Sequence, residues 1–218
     1  MKAISDMSWA LSALEIIACL VSFIYYNKLR PTYWRWLPFY LLFIVCLESV
    51  SRYLSNTQHY SLQLSMYKYI GFPVQFLYFY FVFYKDSYFE KSRKWVLAGT
   101  VIYLAAVIME AVFLSSKYYW FHSFSYSVGN IALLVMLLAF FLRFVQEKEL
   151  LDFSQNLMFW FCLGLLLYYL GTFPFWALRN VLIMKYRSIF ETYLYAFFIL
   201  NYCMYLLFTI GIIRCKLK

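Results

Sequence analysis

The chain has 218 residues, of which 65% are hydrophobic and 13% are charged. Soluble domains are about 45–50% apolar and about 25% charged, and one of this length could not bury so large an apolar excess. The composition therefore excludes a soluble enzyme, a disordered chain and a disulfide-stapled secreted module. It predicts an all-α polytopic membrane protein, in which 24 Phe, 23 Tyr and 7 Trp serve helix packing and the bilayer interfaces.

Basic residues exceed acidic ones, with 19 Lys and Arg against 10 Asp and Glu and a net charge of +9. They lie between apolar runs, where they set topology and attract anionic lipid headgroups. The expected partner is therefore the lipid bilayer and not nucleic acid. The five cysteines lie in or beside apolar runs without CxxC or Cys/His spacing, so we expect buried free thiols and no metal site.

Seven apolar runs of membrane-spanning length follow one another along the chain. A helix needs about 17–25 residues to cross the hydrocarbon core with its backbone groups paired internally. The sequence predicts one domain, residues 1–218, that forms a seven-transmembrane-helix bundle with approximate spans 8–26, 36–54, 64–84, 95–114, 121–144, 155–178 and 192–213. Pro73 and Pro174 are expected to kink the third and sixth helices.

Lysines and arginines are distributed unequally between the two ends of this predicted bundle. Most of them lie on the cytoplasmic side if the N-terminus is outside, so the positive-inside rule predicts an outer N-terminus and a cytoplasmic C-terminus. We expect a multi-pass location in the cell membrane. The outer loop that contains Arg179, Lys185 and Arg187 favours the reverse orientation.

Polar side chains inside the predicted spans lie at one depth. Carboxylates within a bilayer are rare and are functional candidates by default. At about 1.5 Å per residue, the carboxyl and amide groups fall about 6–17 Å below the outer surface. The sequence therefore predicts an outward-facing polar cavity for a small ligand, lipid or cation. Its expected lining residues are Glu15, Glu48, Arg52, Gln75, Asn130, Tyr168 and Asn201, with Lys68, Glu110 and Tyr205 as further candidates.

Helical spacing groups several of these residues on single faces. Glu48 and Arg52 are four residues apart, which predicts an ion pair between them. Lys68, Gly71 and Gln75 share one face of the third predicted helix. The alternative interpretation of these polar groups is structural, since carboxylates near span ends snorkel to headgroups and amides hold membrane helices together.

The residues that catalysis within a membrane requires do not occur in suitable patterns. Neither HExxH nor GxSxG is present, and no Asp lies inside a predicted span. The last span has no Lys for a retinal Schiff base. His59 and His122 fall near the outer surface, where haem ligation is geometrically feasible. We nevertheless expect no cofactor, no catalytic residue and no enzymatic activity.

Three stretches in the last two predicted spans carry a resemblance: FWFCLG at 159–164, YYLGTFPF at 168–175 and LNY at 200–202. They resemble a group of small bacterial seven-helix membrane proteins. The Glu48 region and the segment PVQFLYFYFVFY at 73–84 are similar too, although that group commonly has Glu where Gln75 stands. Genes of the group often lie beside those of sensor histidine kinases, so the resemblance implies a role in signalling.

Three functions fit a helical bundle with a polar cavity at one end. The leading hypothesis is a sensor or signalling accessory, whose ligand shifts helix packing and whose separate membrane or cytoplasmic partner reads the change. A small proton- or cation-coupled transporter or channel would use the same carboxylates for coupling. A structural scaffold subunit would use the polar residues only to fix helix register.

Overall fold

The computed structural model describes residues 2–113, 124–146 and 153–216, which are helical almost throughout and contain no strand. The α-helices of these residues are α1 Lys2–Ile24, α2 Tyr26–Leu29, α3 Leu37–Asn56, α4 Tyr60–Met66, α5 Phe72–Lys85, α6 Arg93–Phe113, α7 Phe124–Gln146, α8 Leu157–Lys185 and α9 Arg187–Arg214. Shorter helical turns are the 3₁₀ segments Tyr33–Trp36, Ser87–Ser92 and Phe153–Gln155 and the π-helical turn Tyr67–Gly71.

Six helical segments of the described chain are long and apolar enough to cross a membrane. They are Asp6–Ile24, Tyr33–Asn56, Ser87–Phe113, Phe124–Gln146, Leu157–Trp176 and Arg187–Arg214. The predicted all-α class is therefore confirmed, and the protein is a multi-pass membrane protein. Residues 114 and 121–123 of the predicted spans, His122 among them, lie outside the described residues.

The predicted third span, 64–84, corresponds to a helical rod over 60–85, in which α4, the π-helical turn and α5 follow without interruption. This rod is not among the six apolar segments, since its tyrosines, Lys68 and Gln75 make it more polar than they are. Pro73 lies in the first turn of α5, directly after the π-helical turn. Because proline has no N–H, it cannot complete the α-helical hydrogen bond of the preceding turn, where the π geometry occurs.

The helix boundaries differ from prediction at α8 and α9. Helix α8 continues through Pro174 to Lys185, and α9 begins at Arg187 after the single residue Tyr186. The predicted outer loop is thus helical, because no glycine or further proline ends α8 and the residues after Arg179 remain largely apolar. Helices of 29 and 28 residues are about 44 and about 42 Å long, so this hairpin projects past a hydrocarbon core of about 30 Å or tilts within it.

The long helices form a bundle around α5. Helix α1 packs against α3 and α9, α8 packs against α7 and α9, and α6 packs against α7. Four aromatic side chains of α5 are at most 1% exposed, namely Phe76, Phe79, Tyr80 and Phe83. They contact rings of α3, α6 and α8, as well as α7 and the 3₁₀ segment after α5. The core is therefore an aromatic cluster centred on α5.

Polar contacts close the end of the bundle at which α1 ends. The Lys28 Nζ donates to the carbonyl oxygens of Ile212 at 3.0 Å and Ile213 at 3.1 Å. A lysine at a helix C-terminus satisfies free carbonyl groups and complements the helix dipole. The Tyr33 hydroxyl donates to the Asp86 carboxylate at 2.6 Å. The segment after α1 is thereby attached to the end of α9 and to the residue that follows α5.

Gly129 of α7 lies against two buried rings, where a Cβ atom would meet Tyr103 at 2.8 Å and Phe76 at 3.1 Å. We expect Gly129→Ala to lower the free energy of unfolding by about 1–3 kcal/mol, the usual cost of overpacking a core. Unfolding of the purified protein in detergent measures this change. Gly99→Ala is the control, since its Cβ meets only the flexible end of Met136 at 2.7 Å. Equal stability of both variants would contradict the prediction.

Candidate functional site

A cavity of about 610 Å³ lies among α1, α3, the 60–85 rod, α8 and α9. Its walls come from the beginnings of α1 and of the rod, the end of α3, and the middle parts of α8 and α9. Because neighbouring helices run antiparallel, these parts meet towards the end of the bundle where α1 begins. The volume falls within the range of about 300–1,000 Å³ that is usual for small-molecule sites.

Most of the side chains predicted to share a depth also share this cavity. The predicted residues in its wall are Glu15, Glu48, Arg52, Gln75, Tyr168, Asn201 and Tyr205. Three others, Asn130, Lys68 and Glu110, lie outside the wall and have separate partners. The depth of each residue follows from the rise of its own helix, so the sequence predicted it. The direction of a side chain depends on how its helix is rotated against its neighbours, so three of the predicted residues lie outside the wall.

Two carboxyl groups face the cavity from different helices. Glu15 of α1 is only 4% exposed, and the Tyr205 hydroxyl of α9 faces its carboxyl group. Glu48 of α3 accepts a hydrogen bond from the Tyr67 hydroxyl at 2.7 Å. Neither carboxyl group forms an ion pair within the described chain, although the two are close enough to repel each other when ionised.

Arg52 is the cation of the cavity wall, but it turns towards α1. Its guanidinium donates to the Ser8 carbonyl oxygen at 3.2 Å and to the Ser12 hydroxyl. Its central carbon lies 4.0 Å from the centre of the Trp9 ring. The predicted ion pair with Glu48 is therefore wrong. The beginning of α1 offers the guanidinium oxygen acceptors and an aromatic face together, and these contacts hold it away from Glu48.

A chain of hydrogen bonds joins α3 to the 60–85 rod and ends on Glu48. The Gln63 side-chain amide donates to the Ser51 hydroxyl at 2.8 Å. The Tyr67 hydroxyl lies 2.8 Å from the Ser51 oxygen and 2.7 Å from Glu48 Oε1. Because tyrosine has one hydroxyl proton, donation to Glu48 requires Ser51 to donate to Tyr67. Every proton of the chain then points towards the carboxylate.

The π-helical turn determines which face of the rod lines the cavity. The sequence placed Lys68, Gly71 and Gln75 on one face, but only Gly71 and Gln75 lie in the wall. A π-helical turn contains more residues than an α-helical turn, so the residues before it are rotated relative to those after it. Tyr67 therefore faces the cavity, and Lys68 points away to α6.

Lys68 and Glu110 form an ion pair outside the cavity, with 3.4 Å between Nζ and Oε1 and with Lys68 partly exposed. Glu110 is 1% exposed, and its second oxygen accepts a hydrogen bond from the Ser125 N–H at 2.6 Å. Ser125 lies in the first turn of α7, where free N–H groups and the helix dipole favour a carboxylate. Glu110 thus joins the rod, α6 and α7 and does not snorkel to the surface.

Asn130 of α7 also lies outside the cavity. It is fully buried, and its amide nitrogen donates to the Tyr169 carbonyl oxygen of α8 at 3.4 Å. Its amide oxygen has no hydrogen-bond partner among the described residues. A buried amide that bonds the backbone of a neighbouring helix is the usual interhelical contact of membrane proteins. The sequence predicted the depth of Asn130 in the bilayer, but not that its side chain points towards the backbone of α8.

Aromatic side chains form much of the remaining wall. The Tyr168 hydroxyl faces Asn201 and Trp176, and the Phe197 ring lies 5.9 Å from the Tyr168 ring and 6.0 Å from the Trp176 ring. The sequence singled out Tyr168 and Asn201 but missed Trp9, Trp176 and Phe197. Rings near the ends of spans are typical of bilayer interfaces, so their types alone carried no signal for a cavity.

Comparison of the chain with protein-family models, with curated proteins and with solved structures finds no match in any of the three. The resemblance to small bacterial seven-helix proteins therefore stays a prediction. Among the described residues, no group of three or more His, Cys, Asp or Glu side chains could hold a metal ion.

The Tyr67 hydroxyl is the contact that connects Glu48 to the rod. We expect Tyr67→Phe to lower the free energy of unfolding by about 1 kcal/mol, because the partly buried Glu48 carboxyl group then loses its donor. Denaturation of the purified protein in detergent tests this. Tyr69→Phe is a matched control in the same π-helical turn, since Tyr69 is 49% exposed. If the two variants were equally stable, the hydrogen-bond chain would contribute nothing to stability.

Proposed function

We propose that this protein is a membrane sensor or signalling accessory that binds a small ligand in the cavity. The observation that carries the proposal is a pair of cavity carboxyl groups without an ion partner in the described chain. Ionisable groups inside a membrane protein are costly and mark ligand or ion sites. The charged groups of the wall are Glu15, Glu48 and Arg52. When all three are ionised, one bound positive charge balances the wall.

Packing beneath the cavity favours binding over continuous passage. Five side chains on that side are at most 2% exposed, namely Trp34, Leu37, Phe79, Phe161 and Phe208. The Phe161 ring centre lies 5.8 Å from that of Phe79 and 4.7 Å from that of Phe208. A ligand that enters where α1 begins therefore meets a closed aromatic floor.

The π-helical turn supplies a route from the cavity to the rest of the bundle. Tyr67, its first residue, bonds Glu48, while the adjacent Lys68 pairs with Glu110 on α6. A ligand that takes the Glu48 carboxylate competes with Tyr67 and favours another arrangement of the turn. Such a difference in affinity between two arrangements is what a population shift requires. The described connections at the closed end, 25–36 and 86–92, are too short for a catalytic output, so a separate partner would read the change.

A small proton- or cation-coupled transporter is the second candidate. The two carboxyl groups that share one cavity favour it, since coupled carriers use such groups near the substrate. Proton or cation flux in proteoliposomes that falls in Glu15→Gln would decide for this candidate. Absence of flux through the wild-type protein would leave ligand binding without transport as the proposed function.

The proposed binding function predicts a small molecule that depends on both carboxyl groups. Native mass spectrometry of the protein purified from its membrane should show a non-lipid adduct that Glu15→Gln/Glu48→Gln loses at unchanged membrane yield. Glu191→Gln is the control, since this α9 carboxylate is 56% exposed. Collapse of the yield in the double variant, with no adduct on the wild-type protein, would favour the scaffold hypothesis.

We further propose that the 60–85 rod also crosses the bilayer, which gives seven spans with an outer N-terminus and a cytoplasmic C-terminus in a bacterial inner membrane. An odd number of spans places the termini on opposite sides. Reporters that are active only in the cytoplasm or only outside, fused to each terminus in turn, should therefore give opposite results at the two ends. Both termini on one side would mean that the rod does not cross.

A further inference from the structure

We propose that the ligand is an organic monocation, an ammonium group with a small apolar body. Its charged nitrogen lies between Glu15 and Glu48, and its apolar part lies against Tyr168, Trp176 and Phe197. This inference deepens the proposed function and rests on it.

The charged groups in the cavity wall indicate the sign of the charge on the ligand. Glu15 is nine-tenths buried, lines the cavity and has no ion partner in the described chain. The Arg52 guanidinium is already engaged by the backbone oxygen of Ser8 and the hydroxyl of Ser12. An anionic ligand would therefore meet two carboxyl groups and one guanidinium, whose Nη2 already bonds α1. With a neutral ligand, one of the two neighbouring carboxyl groups has to keep its proton, whereas a monocation balances the wall with both of them ionised.

The size and chemistry of the cavity favour an organic cation over a metal ion. A hard cation takes about six or more oxygen ligands at short distance, whereas the volume here is about 610 Å³ and much of the lining is aromatic. The helical backbone around the cavity is already hydrogen-bonded internally. A quaternary alkylammonium ion is weakly hydrated and can fill such a volume with its apolar body while its charge faces the carboxyl groups.

The rings of the wall suit the same ligand. Faces of Trp, Tyr and Phe attract cations, and aromatic cages bind quaternary ammonium groups in this way. The Trp176 ring centre lies 5.6 Å from that of Phe72 and 6.0 Å from that of Phe197, so rings from the rod, α8 and α9 form a continuous surface. The wall already holds one cation over a ring, since Arg52 lies 4.0 Å from the centre of the Trp9 ring.

Isothermal titration of the full-length protein in detergent tests the proposal with three probes of similar shape. Benzyltrimethylammonium should bind at one site, neopentylbenzene, its neutral isostere, should bind at least about tenfold more weakly, and 3-phenylpropionate should not bind. Glu15→Gln and Glu48→Gln should each weaken binding of the ammonium probe by about tenfold or more. Glu191→Gln should leave it unchanged.

A second variant keeps the test decisive if a carboxyl variant fails to fold. Phe197→Leu keeps an apolar side chain but removes one ring face, so it should weaken the ammonium probe more than the neutral isostere. Equal affinity for the two probes, or binding of the anion, would overturn the organic cation while leaving a ligand-binding cavity. Failure of the ammonium probe to bind would also overturn it, and native mass spectrometry of the purified protein would still judge the proposed function independently.

Discussion

The position of one guanidinium determines the character of the cavity. Arg52 bonds to Ser8 and Ser12 and stacks on Trp9, which ties α3 to the beginning of α1. Had Arg52 formed an ion pair with Glu48, the two charges would neutralise each other, and Glu15 would be the one carboxyl group of the wall without an ion pair. Polar groups that line a cavity within a membrane protein are satisfied by protein, by cavity water or by a ligand. Because Arg52 bonds α1 instead of Glu48, both carboxyl groups of the cavity are without an ion pair in the described chain.

Tyrosine hydroxyls make several further long-range polar connections in the described part of the bundle. Tyr80 donates to the Gly129 carbonyl oxygen at 2.8 Å, and Tyr202 donates to the Met7 carbonyl oxygen at 2.6 Å. A tyrosine has an apolar ring and one polar tip, so it can pack in an aromatic core and still bond a neighbouring helix. The high tyrosine content therefore has a structural cause beyond bilayer interfaces. It links helices through the core, and it also makes the 60–85 rod more polar than its neighbours.

The depth of each polar residue in the bilayer was predictable from the sequence, whereas the direction in which its side chain points was not. The rise of a helix is a local property, so counting along each span placed Glu15, Gln75 and Asn201 at one level. Ser51, three residues after Glu48, could have been found by the same helical spacing. Rotation of one helix against the next depends on packing, and the π-helical turn changed it within a single rod. The turn separated Lys68 from Gln75, and the partner of Lys68 lies on another helix, beyond the reach of any local pattern.

The π-helical turn lies between the cavity and the helix pair α6 and α7. Its adjacent residues Tyr67 and Lys68 serve two separate carboxyl groups, Glu48 in the cavity and Glu110 between α6 and α7. Adjacent side chains on a helix point in different directions, so a rotation of the turn that changes one contact also changes the other. Glu110 in turn bonds the first turn of α7. The same turn therefore contacts both the cavity and the pair of helices α6 and α7.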